Sequence, residues 1–122
     1  MKKIYYNKLI RDRIPEKITR NGGAYEVEKL GQKEFERELL KKVGEEATGL
    51  LHAKTKEELA SELADIIDVI EEVKKVKRIS RSKIESARKK AYDLKGGFKK
   101  KLFLLWSSDT GYRTNERRYP KK

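Results

Sequence analysis

A chain of 122 residues is the size of one ordinary domain and can bury a core without disulfide or metal staples. It holds no cysteine, which excludes a disulfide framework, a thiolate metal site and a cysteine nucleophile, and fits a reducing cytoplasm. The net charge of +12 lies wholly in residues 71–122, with 18 basic and 6 acidic side chains against 14 of each in residues 1–70. Such a balance implies a polyanionic partner, nucleotide phosphate or nucleic acid, beside the plainer reading of a solvated basic surface.

Charged residues make up 43% of the chain while Asn, Gln and Met are scarce, a bias shared with proteins of thermophiles. The opening "MKKIYYNKLIRDRIPEK" lacks the apolar core of a signal peptide, and the longest apolar run, "LFLLW" at 102–106, is far short of a membrane span. A cytoplasmic protein with no membrane association is expected.

In chain order, Leu9, Ile10, Ile14 and Ile18 surround Pro15, a residue tolerated only in a first helical turn. A short helix is predicted from Arg13 to Arg20, stopped by Asn21, Gly22 and Gly23. The stretch "AYEVEKL" at 24–30 alternates enough to predict a short strand or extended arm. Over 33–53, Phe35, Leu39, Val43, Ala47 and Leu50 recur at helical spacing and define one apolar stripe.

Thr55 followed by Glu58 has the pattern of a capping box, and Leu59, Leu63, Ile66, Ile70 and Val73 carry a second helix to about residue 78. Ser82 with Glu85 predicts a further cap, opening a basic helix that Gly96 and Gly97 end. "FKKKLFLLW" then suggests a second extended segment near 98–105, and residues 107–122 have the composition of a basic tail. The chain is therefore expected to be all-α, with a helical domain over 1–106 built on an antiparallel hairpin or four-helix bundle core.

Counting outward from a turn at Lys54 and Thr55, Glu46 and Glu62 fall at nearly the same height on facing helices. Asp65 shares a face with Glu62, and Glu58 and Asp68 extend that acidic edge. A hairpin can thus gather Glu45, Glu46, Glu62 and Asp65. Carboxylates held close repel one another unless a cation sits among them, and oxygen ligands without Cys or His point to Mg²⁺ or Mn²⁺. The plainer alternative is a solvated acidic face paired with lysines.

Four segments, "YNKLIRDRIP" at 6–15, "KVGEEATG" at 42–49, "ELADIIDVI" at 62–70 and "KGGF" at 95–98, resemble in order the MazG-like all-α nucleoside triphosphate pyrophosphohydrolases, relatives of phosphoribosyl-ATP pyrophosphohydrolase. That family carries E-E-x-x-E on one helix and, 12 or more residues later, E-x-x-D on the next. Glu45 and Glu46 match the first pair and Glu62 and Asp65 the second, with 12 residues between the motifs, while Gly49 stands where the family has its third acid.

The resemblance implies a Mg²⁺-dependent enzyme, working as a homodimer or homotetramer, that hydrolyses a nucleotide between its α- and β-phosphates. Glu46, Glu62 and Asp65 would be metal ligands, and Glu45 with Glu46 the catalytic pair orienting water or metal. Lys8 and Arg11, in the N-terminal motif, and Lys90 and Lys95, before the double glycine, are the candidates for holding phosphate. His52 suits Mg²⁺ poorly and is read as a polar surface residue.

Gly49 fits two readings: close backbone approach, or loss of the acid with weakened or abolished catalysis. In the second case the chain would serve as a nucleotide- or nucleic-acid-binding module through its basic half. A third reading is an interaction protein whose helices build an oligomeric core.

Overall fold

A computed structural model of the chain describes residues 2–111. The fold is all-α, with four helices: α1 (Ile14–Arg20), α2 (Gln32–Leu51), α3 (Lys56–Lys77) and α4 (Arg81–Lys95). Among the described residues there is no strand. The segments near 24–30 and 98–105 lie outside the helices, and of the two forms considered for 24–30, strand or extended arm, the strand does not form, because a segment without a neighbouring strand has no ladder to complete its backbone hydrogen bonds. No helix is long and apolar enough to cross a membrane. The predicted basic tail at 107–122 lies largely outside the described residues.

Two compact units divide the chain, Met1–Ile84 and Glu85–Lys122, and the boundary falls within α4. In the first, α2 and α3 pack against each other as an antiparallel hairpin joined by residues 52–55. Its turn is built by the predicted cap: Thr55 Oγ1 accepts from the Glu58 N–H at 3.1 Å, and Glu58 Oε1 accepts from the Lys54 N–H at 3.3 Å. At the far end Lys77 Nζ reaches Glu36 Oε1 at 2.9 Å, tying the start of α2 to the end of α3.

Pro15 sits in the first turn of α1, with Arg13 as the flanking residue. After the helix, Gly22 takes φ +80° and Gly23 donates to the Ile18 carbonyl at 2.9 Å, which satisfies an otherwise orphaned acceptor. The end of α3 uses the same device without glycine: Arg78 adopts φ 55°, and the Ile79 N–H reaches back to the Lys74 carbonyl at 3.0 Å.

One correction concerns α4. Ser80 Oγ, and not Ser82, accepts from the helix start, at 3.1 Å from the Lys83 nitrogen. The αL turn at Arg78 lets the chain re-enter a helix sooner than the Ser82 and Glu85 spacing implies. The second unit holds the rest of α4, closed at Gly96 with φ +79°, followed by the segment 98–106 in which Phe98 is 97% exposed.

Helices α2 and α3 pack against each other, yet they leave much of the apolar surface predicted from periodicity open. Leu39, 6% exposed, is the one buried hydrophobic residue among those described. Leu59, Leu63, Ile67 and Ile70 on α3 all remain exposed, as does Leu40 on α2. Two helices can cover only one side of each other, so the rest of each wide apolar face meets solvent in a single chain.

A candidate metal centre between two helices

The hairpin brings Glu46 of α2 together with Glu62 and Asp65 of α3. One carboxylate oxygen from each lies within 4.8 Å of the other two, and all three residues are half-buried. The register explains the convergence. Glu46 and Glu62 are equidistant from the turn, and Asp65 lies one turn of α3 beyond Glu62.

The three acids sit uncomfortably together. The Glu62 carboxyl is held above its usual range, first by desolvation, then by the charges of Glu46 and Asp65, with a hydrogen bond to Glu46 and the charge of Glu58 adding to the shift. A divalent cation would remove that repulsion. Two oxygens on one Mg²⁺ stand at most about 4.2 Å apart, since each bond is ~2.1 Å, so small carboxylate rotations would close these acids on an ion. The donor set, all oxygen, fits Mg²⁺ or Mn²⁺.

Glu45 is not part of this cluster. Its Oε1 lies 3.7 Å from Lys42 Nζ, which also stands 3.5 Å from Glu46 Oε1. Lys42 was not singled out by the sequence motif, though spacings of three and four residues on one helix announce the contacts. His52 caps the end of α2, and its Nδ1 lies 2.9 Å from the Thr48 carbonyl. Because a carbonyl only accepts, that nitrogen is the donor in this contact.

Arg11 reaches α3 from the N-terminal segment. One guanidinium nitrogen donates to Asp65 Oδ1 at 2.8 Å and to Asp68 Oδ2 at 2.9 Å, two acids that raise the guanidinium pKa further, Asp68 first. The expected phosphate-binding residue is thus on the edge of the acidic cluster, with one of its acids as partner. Lys8 stands over the Tyr6 ring, 5.5 Å from its centroid. Lys90 and Lys95 lie on the part of α4 in the second unit, where Lys90 lines a shallow groove with Ser86, Lys89 and Asp93.

Beside the triad a groove of about 320 Å³ is lined by Gly49, His52, Ala53, Glu58, Ser61 and Glu62. The space beside Gly49 is taken up by the Glu62 carboxylate. A methyl carbon placed on it would stand 2.6 Å from Glu62 Oε2 and 3.0 Å from the carboxyl carbon. Comparison of the chain with models of protein families, with curated proteins and with solved structures finds no match.

Proposed function

We propose that the chain is a Mg²⁺- or Mn²⁺-dependent hydrolase of nucleoside triphosphates, cleaving between the α- and β-phosphates to give a monophosphate and pyrophosphate, within the MazG-like family that its motifs resemble. The observation that carries this reading is the convergence of Glu46, Glu62 and Asp65 from two facing helices. Three carboxylates leave room in an octahedral shell for water and for phosphate oxygens.

When bound, the cation would screen the triphosphate and neutralise charge that develops on the reacting phosphorus. Glu46, Glu62 and Asp65 hold it. Glu45, next to Glu46 on the more exposed side, is the acid left to orient the attacking water. That water supplies the new P–O bond, the bridging anhydride bond breaks, and pyrophosphate leaves. Arg11, already beside Asp65, is placed to exchange its carboxylate partners for a phosphate oxygen. Lys8, in the same unit, is a second candidate for holding phosphate. The adjoining groove offers Glu58, Ser61 and His52, acceptors better suited to sugar or base than to phosphate.

The open apolar faces of α2 and α3 support a second element of the proposal, a homodimer or homotetramer in which two hairpins form a four-helix core.

The test is pyrophosphate release from a panel of nucleoside triphosphates with Mg²⁺ or Mn²⁺. Turnover by the wild type is expected to fall by at least about 100-fold in Glu62→Ala and Asp65→Ala, as loss of a cation-held transition state requires. Intact turnover in both variants would contradict the site. No turnover at all, with binding of nucleotide or nucleic acid that weakens steeply with salt, would favour the reading as a binding module acting through the basic residues 71–122.

A further inference from the structure

We infer that Gly49 is a positioning residue for Glu62: the volume where a side chain at 49 would begin is the volume that the Glu62 carboxylate occupies. This deepens the proposed function and rests on the triad being a cation site. Three features support it. A Cβ on Gly49 would come within 2.6 Å of Oε2, 3.0 Å of the carboxyl carbon and 3.3 Å of Oε1, closer than the roughly 3.5 Å at which such atoms pack. The three nearest atoms all belong to the Glu62 carboxylate, the free end of a flexible side chain, so a carbon there would make that carboxylate shift.

The third feature is Gly44, five residues earlier on the same helix, where an added Cβ meets nothing within 4 Å. Helix α2 therefore carries one glycine that α3 uses and one that it does not.

The consequence changes how the sequence pattern is understood. Position 49 is where the acidic motif has its third acid, and glycine there looks like a vacancy in the ligand set. In the folded hairpin the place is filled, because Glu62 leans into it from the opposite helix. An acid at 49 and Glu62 in its present position exclude each other. The site is thus organised around three carboxylates, with the open coordination positions left for water and substrate oxygens.

Gly49→Ala and Gly44→Ala separate this role from a general effect on the helix. Both replace a helical glycine by alanine and so favour the helical state. Mn²⁺ binding to the full-length wild type and both variants would be followed by electron paramagnetic resonance, and melting temperatures would be taken in chelator. The expected result is that Gly44→Ala melts higher and binds Mn²⁺ as the wild type does. Gly49→Ala should melt no lower than the wild type yet bind Mn²⁺ at least about tenfold more weakly, the scale of displacing a group that orients a metal ligand.

Equal Mn²⁺ affinity in Gly49→Ala and wild type would overturn the inference while leaving the triad standing as a cation site. Weaker binding accompanied by a lowered melting temperature would also overturn it, since that pattern marks damage to the hairpin. A wild type that binds no Mn²⁺ would remove the proposed site and this inference with it.

Discussion

Glu62 is the residue on which the account turns, because the fold pushes its carboxyl above the ordinary range through desolvation and its acidic neighbours. Between the unfolded pKa near 4.5 and the raised folded value, the native state binds more protons than the unfolded one, so stability falls as pH rises through that window. Glu36, whose carboxyl Lys77 holds low, acts in the opposite sense: its contribution is present above the unfolded pKa and is lost as pH falls. Replacing Glu62 by Gln removes the first effect alone. In chelator, Glu62→Gln is expected to melt higher than the wild type at neutral pH and to lose that advantage as pH falls through the raised folded value toward 4.5, measured by thermal unfolding across pH. An unchanged difference across that range would contradict the assignment. A carboxyl held in this way costs the fold stability in the absence of a cation.

At the scale of elements, the helices were legible because apolar residues recur at the α-helical period and because caps and glycines punctuate the runs. Thr55 shows how local the information is: its side chain and the Glu58 N–H, three residues apart, close the α3 start without help from elsewhere. Thr55→Ala is expected to lower stability by about 1 kcal/mol in denaturant unfolding. A change below a few tenths would mean the turn is held by packing alone. Whether the segments near 24–30 and 98–105 would be strands or merely extended was not legible for the opposite reason, since alternation in one segment cannot say whether a partner strand exists. The Ser80 cap was missed because the αL conformation of Arg78, which sets where α4 begins, has no glycine to announce it. In the candidate site, the positions of Glu46, Glu62 and Asp65 followed from counting along a hairpin. That the Glu62 carboxylate occupies the space a side chain at 49 would take did not, because side-chain direction across a helix interface is set by packing that a linear motif does not encode.

For the whole molecule, two quantities remain unbalanced in a single chain. Apolar surface on α2 and α3 is far in excess of what one hairpin covers, with Leu63 44% and Ile67 58% exposed. A second copy offering the same faces would bury both sets, and light scattering at micromolar concentration is expected to give a dimer or tetramer; a stable monomer would contradict this. The other imbalance is charge. Residues 71–122 carry the entire +12, next to a first half that is neutral and holds the acidic triad. The excess of basic residues and the acidic triad thus lie in different halves of the sequence, although Lys8 and Arg11 stand in the half that holds the acids.

The most direct measurement is the identity of the products formed from a nucleoside triphosphate by the wild type with Mg²⁺ and by Asp65→Ala. Monophosphate and pyrophosphate from the wild type, absent when Mg²⁺ is chelated or Asp65 is replaced, is the predicted result. Diphosphate and orthophosphate, or products whose yield depends on neither Mg²⁺ nor Asp65, would contradict the account.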